Sequence, residues 1–254
     1  MLSIDQKKLI ECLRHLGLKK SDIVFTHSSL GLIFGKQKNS SELLFKSIKE
    51  IIGNRGTLVA PAFTLECSHG KIFDKEKIST DSGSFGNWLI KKKKAIRSNH
   101  PLHSVVAIGY RAKEIIDNIS PTSFGDNSVF KKLVNMNAKC LLVGVGIKYV
   151  TLIHQIEEEN KVPYRFFKTF KIKVKKFNKI KAIKVPYYAR YLNKKTVYDF
   201  KKMNLLLKNE KLINSIKIGW GQMSLFNFRS FYDLFNLHIK RNPFFVIKKK
   251  YFEK

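Results

Sequence analysis

Apolar and polar positions along this 254-residue chain switch repeatedly between a helical and a strand-like period, and the switches predict its elements. Apolar residues recur at helical spacing from Ile4 to His15, and Gly17 ends that helix. Ile23 to His27 reads as a buried strand. Ser40 is placed to cap a helix over Ser41 to Ile52, and Gly53-Asn54-Arg55-Gly56 turns the chain into a strand from Thr57 to Pro61. Phe63 to Gly86 has no clear period and reads as a long loop over the sheet, of a length that is often functional. Ser82-Gly83-Ser84-Phe85-Gly86 leads into a short helix near Asn87 to Lys94, then an extended segment from Ser104 to Gly109. Arg111 to Ile119 and Ser128 to Met136 read as helices, and Lys139 to Val145 as an apolar strand. A further helix begins near Thr151 and runs through Glu157-Glu158-Glu159. This alternation predicts an α/β domain.

After Pro163 the pattern changes. Phe170, Ile172 and Val174 alternate with Lys171, Lys173 and Lys175, the period of a half-exposed strand with its lysines in water. A second strand over Lys181 to Val185 closes a hairpin, and Arg229 to Ile239 returns to helical spacing. No internal repeat is found, and Lys91 to Lys94 and Lys248 to Lys250 read as solvated charge runs.

Composition narrows this picture. With 44% hydrophobic and 12% aromatic residues the chain is globular, and its length suffices for one large domain over residues 1–254. Met1 to Leu13 mixes charges with apolar residues, unlike a signal peptide, and no run is long enough to cross a bilayer. The three cysteines, Cys12, Cys67 and Cys140, are scattered, as expected of reduced thiols in a cytoplasmic protein. Net charge is +30, of which residues 1–160 carry +9 and residues 161–254 carry +21. Such a field attracts polyanions, among them coenzyme A and nucleotide-linked substrates, and repels polycations. A lysine-rich composition throughout the chain argues against a dedicated nucleic-acid role.

Three distant segments then supply the candidate chemistry. His154, in the first turn of a helix capped by Thr151, would be kept neutral by the positive helix end, as a general base requires, and Glu157 one turn on is placed to orient it. In His100-Pro101-Leu102-His103-Ser104, proline bends the chain before a strand; the H-x-x-H spacing lacks further ligands, as does Cys67-Ser68-His69, so no metal is expected. His27-Ser28-Ser29-Leu30-Gly31 ends a strand with hydroxyls and amides suited to phosphates or a pantetheine chain. Gly144-Val145-Gly146 is no dinucleotide fingerprint, because Tyr149 stands where a third glycine belongs.

Taken in order, these segments resemble the aminoglycoside 3-N-acetyltransferase family, which is distinct from the larger GNAT superfamily. The matching residues are His27 to Leu30; Gly56-Thr57-Leu58 with Pro61 to Thr64; Phe73-Asp74 with Ser82 to Gly86; Arg97, Ser98, His100, Pro101 and Ser104, the most specific signature; Gly125 to Ser128, more loosely; Leu141 to Gly144; and Thr151 with His154. The match thins after Pro163 and recovers near Met223 to Phe226 and Arg229 to Phe245. The resemblance implies a mixed central sheet flanked by helices, followed here by a basic, β-rich C-terminal region. It implies acetyl-CoA or another acyl-CoA as co-substrate, bound near His27, Ser28, Ser29, Leu30, Ser104 and Val105. It makes His154 the base that deprotonates a sugar amine, with Glu157 as its orienter and Phe63, Asp74 and His100 at the acceptor. The positive field favours an amino sugar on an anionic nucleotide carrier, for surface polysaccharide synthesis, over a polycationic antibiotic. An aminoglycoside acetyltransferase conferring antibiotic resistance is the alternative. A non-catalytic protein that binds nucleic acid or membrane surfaces through Phe177, Tyr187, Tyr188 and Tyr191 is the other.

Overall fold

Alternate residues of the first strand serve two different cores. In the computed structural model, which describes residues 4–191 and 196–248, Ile23 and Phe25 face one side of a central sheet and Val24 faces the other. The elements in chain order are α1 (Gln6–His15), β1 (Ile23–Ser28), α2 (Gly31–Phe34), α3 (Ser40–Ile52), β2 (Thr57–Pro61), β3 (Phe73–Asp74), α4 (Ser84–Ile90), β4 (Ile96–Arg97) and β5 (Val105–Gly109). There follow α5 (Ala112–Ile116), α6 (Val129–Asn135), β6 (Lys139–Val143), α7 (Leu152–Glu159), β7 (Arg165–Lys176), β8 (Lys179–Arg190), α8 (Phe200–Asn209), β9 (Ile213–Ile218), β10 (Gly221–Asn227) and α9 (Phe228–Arg241).

The central sheet is mixed, in the order β4-β5-β2-β1-β6-β10-β9. β1 lies between β2 and β6 and is parallel to both, whereas the remaining pairings are antiparallel. Helices α1, α3 and α4 cover one face, and α5, α6, α7 and α9 cover the other. The expected architecture, a mixed sheet flanked by helices, is therefore the one observed. A second sheet, β3-β7-β8, packs Ile172 and Val185 on Cys67, Phe73, Ile78 and Leu102. Among the described residues no helix is long and apolar enough to cross a membrane.

Several expectations need correction. Ser40 begins α3 rather than capping it; Asn39 is the cap residue, in a left-handed conformation and without a side-chain cap bond. The stretch from Phe63 to Gly86 is not one loop, since it holds a 3-10 turn at Leu65–His69 and the strand β3, and α4 starts within it at Ser84 rather than near Asn87. The hairpin strands run well past the predicted segments: Phe166↔Ala189, Phe167↔Tyr188 and Lys168↔Tyr187 carry the ladder back to Arg165↔Arg190, and Lys175↔Ile180 carries it on to Lys176↔Lys179. Helix α8 and the strands β9 and β10 were not foreseen: Asn214, Ser215 and Lys217, all exposed, break the apolar pattern of the edge strand β9. Lys249 and Lys250 of the last charge run lie outside the described residues.

Candidate active site

The strand order reverses at β1, and ligands of open α/β sheets lodge beyond the carboxyl ends of strands at such a point. A cleft of about 1320 Å³ opens there. One wall comes from the end of β1 (His27, Ser28, Ser29), Pro61 and Phe63 after β2, the segment Asp81–Gly83, and Val145 with Lys148–Thr151 before α7. The facing wall is the hairpin with the segment after it, through Arg165, Lys168, Phe170, Tyr187, Arg190 and Tyr198. Gly144 lets β6 pass the end of β1: its φ is +68°, and a Cβ there would stand 2.4 Å from the Ser29 carbonyl oxygen.

His154 lies at the floor of this cleft, on the first turn of α7, with 27% of its side chain exposed above a fully buried Glu157. The i,i+3 spacing puts Glu157 Oε2 2.7 Å from His154 Nδ1. The carboxylate is saturated. Oε1 accepts from the hydroxyls of Tyr198 at 2.6 Å and Tyr164 at 2.9 Å. Arg165 Nε stands 2.8 Å from Oε2, an ion-pair contact rather than an aligned hydrogen bond. Burial opposes charge on Glu157, but Arg165, His154 and Tyr198 outweigh it and hold the carboxyl below its ordinary range. An ionised carboxylate only accepts, so the shared proton belongs to Nδ1 and the Nε2 lone pair is left free, a tautomer assigned from the charges.

Arg165 Nη2 lies 2.8 Å from the same imidazole nitrogen, a donor-to-donor approach and not a hydrogen bond once Nδ1 carries the proton, and it donates to the Tyr198 hydroxyl at 2.8 Å, while Nη1 donates to the Tyr188 carbonyl. Burial, then the Arg165 charge, lower the His154 pKa against the opposing pull of Glu157. The ring is thus neutral near pH 7, for a different reason from the one expected. Thr151 makes no side-chain cap bond and is itself in helical conformation. Low dielectric and a neighbouring guanidinium replace the capped helix end as the cause.

The three glutamates of the acidic run diverge, about 100° apart around the helix. Glu157 serves His154. Glu159 forms an ion pair with Lys131 at 2.8 Å and accepts from the Tyr232 hydroxyl. Glu158 is buried with Oε2 unpartnered, and burial pushes its carboxyl up to about 7.

Of the other expected site residues, His27, Ser28, Ser29 and Phe63 line the cleft together with His154. Leu30, Ser104, Val105, Asp74 and His100 do not line it. Leu30 is core. The Ser104 hydroxyl donates to the Ala62 carbonyl at 2.5 Å and accepts from Arg97 Nε, and the Val105 amide donates to the Ser98 hydroxyl. His100 is buried, its Nδ1 accepts from the Leu102 and His103 amides, and burial lowers its pKa to about 4. Asp74 faces Lys175 at 3.7 Å on β3.

The arginine-serine-histidine-proline signature is therefore an internal brace. Arg97 adds bonds to the Ala62 and Ile78 carbonyls, tying the exit of β2 to the turn before β5. What that turn presents to the cleft is His103, stacked on Tyr187 at 5.7 Å and bonded through Nδ1 to Ser123 at 2.9 Å. Arg165 and Tyr198 were not among the candidates, Tyr187 was named only for the nucleic-acid and membrane alternative, and His103 only as part of the H-x-x-H turn. A single arginine in a chain with 49 basic residues carries no distinguishing signal, whereas the second histidine of H-x-x-H did offer one. Among the described residues no group of three or more His, Cys, Asp or Glu is arranged to hold a metal.

A family model described as aminoglycoside 3-N-acetyltransferase matches residues 25–239. The aminoglycoside N(3)-acetyltransferase III of Salmonella sp. is 23% identical over 186 residues, covering 66% of this chain and 65% of the relative. The alignment thus spans just under two thirds of that relative's length. Among solved structures, the YokD protein of Bacillus subtilis superposes with a TM-score of 0.81 at 18% identity, covering 96% of both chains. The AAC-IIIb binary complex with CoASH gives 0.83 at 17% identity, covering 94% of this chain and 97% of the other. At these identities the superpositions establish the shared fold.

Proposed function

The chain belongs to the aminoglycoside 3-N-acetyltransferase family, and from that premise we propose that it transfers an acetyl group from acetyl-CoA to a primary amine of an amino sugar. The observation that carries this reading is the His154–Glu157 pair at the floor of a cleft large enough for two co-substrates. His154 Nε2 takes the proton from the acceptor amine, and Glu157 holds the ring by Nδ1 and steadies the imidazolium that forms. The freed nitrogen forms its bond to the acyl carbon as the carbon–sulfur bond breaks, and the thiolate leaves as the coenzyme thiol once protonated. Bound acetyl-CoA supplies the activated thioester; no acyl-enzyme is required, and Cys67 and Cys140 are buried away from the cleft.

Ser28, Ser29 and the exposed Lys148 suit the pantetheine amides and phosphates of the coenzyme, on the wall formed by β1 and the start of α7. The names of the relatives favour aminoglycosides as the acceptor class; a nucleotide-linked acceptor has no counterpart among them. The test is thiol release from acetyl-CoA by the purified protein with a panel of aminoglycosides and simpler amino sugars. Acceptor-dependent release with an N-acetylated product is expected. Release at the same rate without an amine would contradict the reading.

A further inference from the structure

A second imidazole faces the same cleft as His154 and has no part in the transfer described above. It belongs to His103, whose side chain is buried yet lines the cleft. The two histidines flank one phenyl ring: the centroid of Phe124 is 5.0 Å from His103 and 5.6 Å from His154. His103 is also T-shaped to Phe63 at 4.7 Å and stacked on Tyr187 at 5.7 Å, so its ring is held where the two walls meet.

Hydrogen bonding fixes its tautomer. Among the described residues the buried Ser123 hydroxyl has one partner, His103 Nδ1 at 2.9 Å. A buried hydroxyl needs an acceptor for its proton, so Ser123 donates to Nδ1 and the ring's own hydrogen is on Nε2. That Nε2–H has no acceptor among the described residues. His100, three residues earlier, also leaves Nε2 unpartnered, but sealed inside the protein and away from the cleft. Burial, then the charges of His100, His154 and Arg165, hold the His103 pKa well below its ordinary value, so the ring stays a neutral donor even when His154 has gained a proton.

The cleft thus contains two imidazoles of opposite polarity, a free lone pair on His154 Nε2 and an N–H on His103 Nε2. Acyl transfer has a use for both. As the acceptor nitrogen bonds to the acyl carbon, an electron pair of the thioester C=O moves onto oxygen. It returns as the carbon–sulfur bond breaks, while the amine proton passes to His154 and on to the departing thiolate. A neutral, fixed N–H aimed at that oxygen stabilises the developing charge and keeps its own proton throughout. The path from one Nε2 to the other, through amine nitrogen, acyl carbon and acyl oxygen, comprises two hydrogen bonds of about 3 Å and two covalent bonds. That span suits rings separated by one phenyl. Arg165 is less suited, since its Nη atoms donate to Tyr188 and Tyr198 and its charge is matched by Glu157. We propose that His103 is a second catalytic residue, whose Nε2–H donates to the acyl oxygen as negative charge develops there. This rests on the acetyl-transfer reading above and gives that reaction its oxyanion donor.

The experiment compares the wild type with His103→Phe, His103→Gln and Ser123→Ala. It measures kcat and KM by thiol release with the best acceptor of the panel above, acetyl-CoA affinity by calorimetry, and the His103 tautomer by NMR of the ring nitrogens, assigned against His103→Gln. His103→Phe keeps a ring on Tyr187 and removes the N–H; kcat should fall by about 10²–10³-fold, with acceptor KM and acetyl-CoA affinity unchanged. His103→Gln, whose amide donates from nearly the same place, should recover part of that loss. Ser123→Ala keeps the imidazole, frees its tautomer and should lower kcat in the same direction. In the wild type the ring proton should be found on Nε2. Wild-type kcat in a folded His103→Phe or in Ser123→Ala, or a ring proton on Nδ1, would overturn the proposal while leaving acetyl transfer intact. A loss confined to acceptor KM or to acetyl-CoA affinity would overturn it as well, making His103 a binding residue. No thiol release by the wild type with any amine of the panel would contradict acetyl transfer itself, and this inference with it.

Discussion

His154 is held between a carboxylate and a guanidinium, and the balance between them sets where it titrates. Because burial and Arg165 lower its pKa, the reactive neutral ring is present above that lowered value and lost only as pH falls through it. The rate should therefore be flat through neutral pH, with an acid limb below the ordinary histidine range. Replacing Arg165 with Met should move that limb to higher pH in a kcat/KM profile, since the charge opposing protonation is gone. The same variant leaves Glu157 charged and buried without its cation, a loss of about 3–5 kcal/mol that thermal unfolding would register. Glu158 offers the opposite sign. Its carboxyl is raised to about 7, so the stability its burial allows is present at low pH and lost as pH rises through that value. Glu158→Gln should raise Tm at pH 8.5, by about 2–4 °C for each kcal/mol gained, and leave it nearly unchanged at pH 5.

Helix α7 shows how far the sequence carried at the level of elements. Its position, its histidine and the i,i+3 carboxylate were legible from periodicity alone, because all three lie within one helical turn. The means of keeping the ring neutral was not, because Arg165, Tyr164 and Tyr198 come from beyond the helix and meet it only on folding. The capping roles can be tested in parallel. Thr151→Ala should cost less than about 0.5 kcal/mol, having no cap bond to lose. Ser128 both caps α6 through the Lys131 amide and donates to Gln155 of α7 at 2.6 Å, so Ser128→Ala should cost about 1–2 kcal/mol in chemical unfolding. The arginine-serine-histidine-proline signature was legible as a motif but not as a brace. Spacing reveals which residues recur, and only the fold reveals that they bond to Ala62, Ile78 and their own turn.

Across the whole molecule, the basic C-terminal third completes the central sheet through β10 on β6 and supplies the second wall of the cleft through β7 and β8. Its alternating lysines predicted the hairpin, yet β9 and β10 went unread: β9 is an edge strand whose polar residues leave little periodic signal, and β10 is a short, doubly paired strand whose apolar run is interrupted by the buried Ser224. The site is thus assembled from the ends of β1 and β2, the turn before β5, the start of α7 and the hairpin, and one imidazole is common to all of their contributions. The most direct test of the account is acceptor-dependent thiol release by His154→Ala, with its acetyl-CoA affinity measured on the same preparation. Turnover should fall by at least about 10²-fold while the coenzyme binds as before. A variant that binds acetyl-CoA normally and turns over at the wild-type rate would contradict the account.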